Sequence, residues 1–544
     1  MSDTKHVEPV VTGVFSEAEK PGHDNSQFDP NSGVKRALKN RHLSMMALAG
    51  IIGPGLMVGT GGALAKGGPA ALMIGFGIIG MIAFSITQSI GEITTLYPTG
   101  GAFIKQGERF VDKAFAFAMG WNYFVIWVTV LANEYNVLGS VLSYWSDVVP
   151  LWGWFLILWF AFGAFQMLGV ESFGEAEFWL ALIKIIGLFA YFIFAIVYAA
   201  GGVKGQPAFG FRYWHNPGAF ANGFRGVASV FVYCSTYYAG VESVAIAATE
   251  TKNPAKAVPT AVKQVFFRII VIFMGCALFF GLCVPYNDEG LLGTGQRVLR
   301  SPITIAIQRA GWEGGTHLVN AFIVTICLSA CNSAIYIGSR SILFMAQDGT
   351  APRWLGWTNK QGVPVYAVIF TNAFGAICLL NLSDGAAKAY GYIVSLSGVS
   401  TFIVWGAISF IHIRFRKAWH HHGFTGADLP FESMFYPYNM WFGLIANIFL
   451  ALVQSWAAFA PWNTADFVVG YILLPLFFVL YFGYKWCFKT KYLSIDEIDL
   501  FSGRRMDLDA SNDEEASPVT LDGQEIDETS PKGRRNWKNV FKSV

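Results

Sequence analysis

Gly50-Ile51-Ile52-Gly53-Pro54-Gly55-Leu56, followed by Gly59, Gly61 and Gly62, interrupts an apolar run extending from about residue 43 to 66. A helix in lipid satisfies every backbone group internally, so a glycine and proline cluster in mid-run frees donors and acceptors that something else must bind. Close helix packing through small residues is the other explanation for glycines of this kind. Pro54, set between two glycines, favours an unwound segment, and unwound backbone at membrane depth belongs beside a cavity or a binding site.

The rest of the chain supplies the membrane setting. Of 544 residues, 54% are hydrophobic, 16% aromatic and only 14% charged, against roughly 25% charged in an average soluble domain. This excludes a secreted disulfide scaffold, a disordered chain and a nucleic-acid binder. Barrel strands read as alternating segments of about ten residues, and the runs here are longer and apolar on every face. An all-α integral membrane protein remains, with twelve transmembrane helices near 43–66, 69–97, 114–145, 152–170, 177–201, 225–250, 264–285, 316–346, 364–382, 389–413, 436–458 and 467–488. The expected organisation is an N-terminal tail over 1–42, a transporter domain over 43–488 and a C-terminal tail over 489–544. An even number of spans puts both tails on one side, and that side carries 29 of the 38 Lys and Arg. The positive-inside rule makes it cytoplasmic. The seven cysteines fall in or beside apolar runs and read as small core residues.

The sixth span has its own interruption, Tyr233-Cys234-Ser235-Thr236-Tyr237-Tyr238-Ala239-Gly240-Val241-Glu242. Hydroxyls, small residues and one carboxylate break an otherwise apolar helix there. Spans one and six occupy corresponding positions if the first ten helices form two five-helix halves, the arrangement expected of inverted-repeat carriers with a midplane site. Charges inside spans point the same way, since each costs at least about 2.5 kcal/mol at a helix centre. Glu134, Lys184 and Glu242 are such charges. For Lys184 the competing explanation is snorkelling to the nearby interface, and for Glu134 it is pairing with another helix. Glu92, near the end of span two, reads as a structural partner of a loop base such as Arg109. No Walker-type loop, metal-spaced histidine cluster or nucleophile with a base is present. Neither an enzyme, a cofactor nor a metal is expected.

With these residues in view, the chain resembles the fungal amino-acid permeases of the amino acid/polyamine/organocation superfamily over about residues 40–490. The resemblance rests on Leu38-Lys39-Asn40-Arg41-His42, the glycine break, Gly91-Glu92-Ile93-Thr94-Thr95-Leu96-Tyr97-Pro98-Thr99-Gly100-Gly101, Gly120-Trp121-Asn122-Tyr123, Glu250-Thr251-Lys252-Asn253-Pro254, Asn332-Ser333-Ala334-Ile335-Tyr336 and Ile411-His412-Ile413-Arg414. It implies a LeuT-like five-plus-five inverted repeat with helices one and six broken. It also implies proton-coupled uptake of amino acids across the plasma membrane by alternating access. The partners implied are an amino-acid substrate, protons and the bilayer, with trafficking or ubiquitin machinery acting on the tails. The substrate carboxylate would sit at the first break (Gly50, Ile51, Gly53, Gly55). Its ammonium would sit at the sixth (Ser235, Thr236, Tyr237, Tyr238, Gly240), near Glu134 and Glu242. Lys184 matches a lysine that stands where related carriers bind a coupling cation. Ile51 and Pro54 replace hydroxyl residues usual in the family's first break, and Pro54 also removes a donor. A carrier of a related organic cation, such as a polyamine or quaternary amine, and a non-transporting amino-acid sensor are the alternatives.

Overall fold

The computed structural model describes residues 33–504 except 51, 147, 253, 293–300, 313, 383 and 460, and for residues 255, 384–391, 393–395 and 457 it describes the backbone alone. Most of each tail, and Ile51 of the first break, lie outside the described residues. Among the described residues twelve apolar helical segments follow one another and there is no named strand. Nine are long enough to cross a membrane as they stand: Asn40–Gly67, Pro69–Leu96, Lys113–Leu142, Val170–Ala199, Gly223–Ala248, Lys256–Cys283, Gly315–Gln347, Val365–Leu382 and Leu396–His421. The twelfth is a pair, Thr464–Tyr471 and Leu473–Phe488, bent by 43°. The fourth, Leu151–Gln166, and the eleventh, Tyr438–Val453, have 16 residues each, about 24 Å of helix.

A helix facing lipid on one side turns apolar residues outward and can keep small and polar ones inward. The fifth span shows it most clearly. Ile183, Ile186, Phe189, Ile193 and Ile196 are exposed, while Glu177, Ala181, Lys184, Leu188 and Ala195 are buried on the opposite face. Lys184 therefore points into the bundle, and its snorkelling explanation fails. The first and sixth spans cross where backbone meets backbone. A Cβ at Gly226 would stand 2.6 Å from the Lys66 carbonyl oxygen, so only glycine permits the approach.

The face of the bundle where the chain enters and leaves is tied by buried charges. Arg340 Nε donates to Glu250 Oε1 at 2.9 Å, with both side chains 1% exposed. Beside this pair, residues at the entry of span one join the loop after span six through Leu38 N to Glu250 O at 2.9 Å and Lys252 N to Leu38 O at 3.0 Å. Glu92 is not the partner of Arg109. It meets His412 Nε2 at 2.8 Å and Arg416 Nη2 at 2.8 Å and accepts the Ser433 amide at 2.7 Å. His412 and Arg416 are one turn apart on span ten and both face span two. Arg109 lies instead over the Tyr97 ring at 4.5 Å and donates to the Ser502 carbonyl. Six of the cysteines are buried as expected, whereas Cys487 is exposed. On the opposite face a short helix, Pro302–Arg309, buries its first six residues, and the preceding Ser301 hydroxyl donates to the Met57 carbonyl at 2.8 Å.

Candidate functional site

The first span is helical up to Gly50 and resumes at Pro54, with Ile52 and Gly53 non-helical between them. The flanking turns, Met46–Gly50 and Gly55–Gly59, are wide π turns. Pro54 opens the second half, where the lack of an N–H costs least and φ is already helical. The first half ends on carbonyls that have lost their helical donors.

Lys184 takes up those carbonyls. Its Nζ donates to Ala49 O at 3.1 Å, Gly50 O at 2.8 Å and Ile52 O at 3.0 Å. An ammonium has three donors, and all three are used on the broken span. The site Lys184 fills has the chemistry of a monovalent-cation site made of backbone oxygens. Behind it, Glu177 Oε1 lies 4.0 Å from Nζ. The Ser329 hydroxyl reaches both Glu177 Oε1 and, at 3.2 Å, the Gly50 carbonyl. Asn332 Nδ2 is 3.4 Å from Glu177 Oε2, and the Asn332 side-chain oxygen is held by Gln166 Nε2 at 2.8 Å.

Glu134 faces the same break from the third span. Its Oε1 lies 3.3 Å from where a Cβ on Gly53 would stand, and its buried Oε2 has no hydrogen-bond partner. A buried carboxylate oxygen left open costs several kcal/mol unless something occupies it.

The sixth span breaks after Tyr238. Ala239 is extended, and Gly240 has φ 102°, which requires glycine. A short turn, Val241–Ser243, then leads into Val244–Ala248. Glu242 closes this break on itself. The Gly240 amide donates to both its oxygens at 3.0 and 3.1 Å, and Trp405 Nε1 donates to Oε2 at 3.0 Å. Its carboxylate is thus committed to the protein, which places it differently from an oxygen waiting for a substrate ammonium. Ser235 and Thr236 likewise bond back to Val232 O at 2.8 and 3.1 Å, the local alternative such hydroxyls have in a helix.

The two tyrosines diverge. Tyr238 points away from the first break: its hydroxyl donates to Phe76 O at 3.0 Å and its ring stacks on Phe273 at 4.1 Å. Tyr237 is half-buried and lies along the second half of span one. A Cβ at Gly55 would stand 2.8 Å from its Cδ1, and one at Gly59 would overlap its hydroxyl. Gly55 and Gly59 are a track for this ring.

Sequence reading missed Glu177, Ser329, Asn332 and Arg268. Glu177 lies seven residues before Lys184, two turns along the same face, and that spacing was the available signal. Arg268 is fully buried, with Nη1 on Ala47 O at 3.2 Å and Cζ over the Phe273 ring at 5.2 Å. Among the described residues no group of His, Cys, Asp and Glu is arranged to hold a metal ion.

Similarity to known proteins agrees with this geometry. The family model for amino acid permeases matches residues 42–497. The chain is 52% identical to the general amino acid permease AGP3 of Saccharomyces cerevisiae, over 95% of this chain and 93% of that protein. It is 46% identical to an uncharacterized amino-acid permease of Schizosaccharomyces pombe (94% and 93% covered) and 37% identical to a basic amino-acid permease of Saccharomyces cerevisiae (87% and 84%). The twelve helices, broken in spans one and six, are the LeuT-type fold of that family. The chain belongs to the amino acid permease family and is a multi-pass membrane transporter, not an enzyme.

Proposed function

We propose that this protein takes up amino acids together with protons across the plasma membrane by alternating access, with both tails in the cytoplasm, where trafficking or ubiquitin machinery reaches them. The observation that carries the reading is the Lys184 ammonium on the three carbonyls of the first break. A cation built into the protein at that place leaves the proton as the ion that can come and go. The positive end of the second half-helix, beginning at Pro54 with the Gly55 amide behind it, suits a substrate carboxylate. The substrate's cationic groups fall toward Glu134 and the face of Tyr237, while Glu242 maintains the sixth break. Uptake by proteoliposomes across a panel of radiolabelled amino acids and polyamines, with and without an inward proton gradient, tests this. Accumulation of no amino acid under the gradient overturns it.

A specific observation bears on substrate class. Glu134 Oε2 has no partner, and permeases named for lysine or basic amino acids in Saccharomyces cerevisiae and Candida albicans are 35–37% identical to this chain. We infer that cationic amino acids are accepted alongside neutral ones. Glu134→Gln is expected to lower lysine uptake about tenfold more than leucine uptake, as the loss of one charged hydrogen bond predicts. Equal losses for both would remove Glu134 from the substrate site. The poorer carboxylate cradle at Pro54 favours the second reading, an organic cation without a carboxylate. Polyamine uptake exceeding that of every amino acid in the same panel would establish it.

A further inference from the structure

We propose that Glu177 is the relay for the coupling proton, receiving it from Lys184 when the first half of span one withdraws its carbonyls. The inference rests on the proton-coupled reading above and deepens it.

Lys184 and Glu177 share one continuous helix, Val170–Ala199. Two of the carbonyls that hold Lys184, those of Ala49 and Gly50, belong to a different element, the half-helix ending at Gly50, and the third, that of Ile52, to the non-helical break after it. This half-helix has to move if the site is to open on the face where the chain enters. Movement of that half-helix takes away the Ala49 and Gly50 acceptors of the ammonium and leaves the carboxylate beside it. Both side chains are 0% exposed. An ion pair in that setting, whose ammonium has lost carbonyl acceptors, is disfavoured against the neutral pair. The N–H bond at Lys184 Nζ breaks and an O–H bond forms at Glu177 Oε1. The ammonium and carboxylate become amine and carboxylic acid, with no change in total charge. The Cα of Glu177 lies about 10 Å nearer the entry face along the helix, from the rise of seven residues. The transfer itself spans only the 4.0 Å between Nζ and Oε1, a gap the two side chains close as the carbonyls leave, and its direction is that of uptake.

The surroundings of Glu177 suit both of its forms. The Ser329 hydroxyl lies between Glu177 Oε1 and the Gly50 carbonyl, and a hydroxyl rotates to donate to a carboxylate or to accept from a carboxylic acid. Its link to Gly50 also makes the state of Glu177 sensitive to where the half-helix stands. Asn332, set by Gln166, fixes the second oxygen. Other charged or titratable groups facing Lys184 are Glu134 from span three, Arg268 from span seven and Cys327 from span eight. Around Glu177, Ser329, Asn332 and Ser333 come from span eight and Lys184 from its own helix.

The test compares two transport modes of the full-length protein in proteoliposomes. Accumulation of lysine or leucine driven by an inward proton gradient requires the relay to load and unload. Exchange of labelled for unlabelled substrate at equal pH does not require net proton movement. Glu177→Gln is expected to depress accumulation about a hundredfold or more relative to exchange, the lower end of the range for loss of a proton-transferring group, and Glu177→Asp is expected to restore part of it. Equal losses in both modes mean a packing role and overturn the proposal. Should the glutamine variant not reach the membrane, Ser329→Ala retains the carboxylate and is expected to shift the pH profile of accumulation. An unchanged profile overturns the relay as well. Wild-type accumulation indifferent to the gradient refutes proton coupling itself, whereas gradient-driven accumulation equal in wild type and Glu177→Gln refutes only the relay.

Discussion

Lys184→Ala abolishes concentrative uptake: labelled substrate equilibrates across the membrane at best and does not accumulate under an inward proton gradient. The expectation follows from what the side chain replaces. Three carbonyls of the first break, those of Ala49, Gly50 and Ile52, have this ammonium as donor. Removing it takes the side-chain donor from all three, although Ala49 O keeps the Ile52 amide at 3.1 Å and Gly50 O keeps the Ser329 hydroxyl at 3.2 Å. An acceptor left open in a dry interior costs about 1–3 kcal/mol, and the half-helix loses its hold on span five. The substitution also removes the group that would carry the proton. Lys184→Arg is expected to fail almost as completely. A planar guanidinium directs its donors in one fork and cannot converge them on three carbonyls arranged around a point, nor does it release a proton at accessible pH. Surface labelling alongside uptake separates lost transport from lost protein. Unaltered accumulation by Lys184→Ala would mean that the contact only pins two helices together.

The breaks and Lys184 were legible in the sequence because hydrocarbon enforces a rule on the backbone: a Gly-Pro-Gly cluster in mid-span has no innocuous place to go. The twelve spans were legible for the same reason, including the fourth and eleventh at 16 residues each. What composition does not encode is where a polar side chain spends its hydrogen bonds. Ser235 and Thr236 looked like site hydroxyls, yet each has a backbone carbonyl in the preceding turn within reach. Glu242 looked like an acid for a ligand, but the left-handed Gly240 turn brings an amide of its own chain to the carboxylate. Glu177 opens an apolar run, where a charge ordinarily marks the interface. Its seven-residue spacing to Lys184 hints at the inner face, and the packing of span eight, with Ser329 and Asn332 facing it, shows that it is inside. Tyr237 and Tyr238 are neighbours in sequence but point in different directions on a helix. One follows the broken span and the other packs on Phe273.

Gly59→Ala is expected to reduce uptake tenfold or more, through a collision with a single ring. A methyl group there would overlap the Tyr237 hydroxyl and stand 3.1 Å from its Cζ. Overpacking of this sort costs about 1–3 kcal/mol, and here it falls where the second half of span one meets the end of the first half of span six. The collision has two parts that can be told apart. Tyr237→Phe deletes the overlapping oxygen, after which the ring needs to retreat by only a few tenths of an ångström. Gly59→Ala with Tyr237→Phe should therefore recover much of the lost rate. At Gly55 the added methyl would meet Cδ1 at 2.8 Å and Cε1 at 2.9 Å, atoms that phenylalanine keeps. Gly55→Ala should be as damaging as Gly59→Ala and should not be rescued by Tyr237→Phe. Initial rates normalised to protein at the membrane give the comparison. Wild-type rates for Gly59→Ala, or equal rescue at both glycines, would show that the ring moves freely away from span one. Rescue at Gly59 alone would place the ring of Tyr237 on that glycine track while the carrier works, as a side chain that joins the two broken helices near their breaks and limits the space between them.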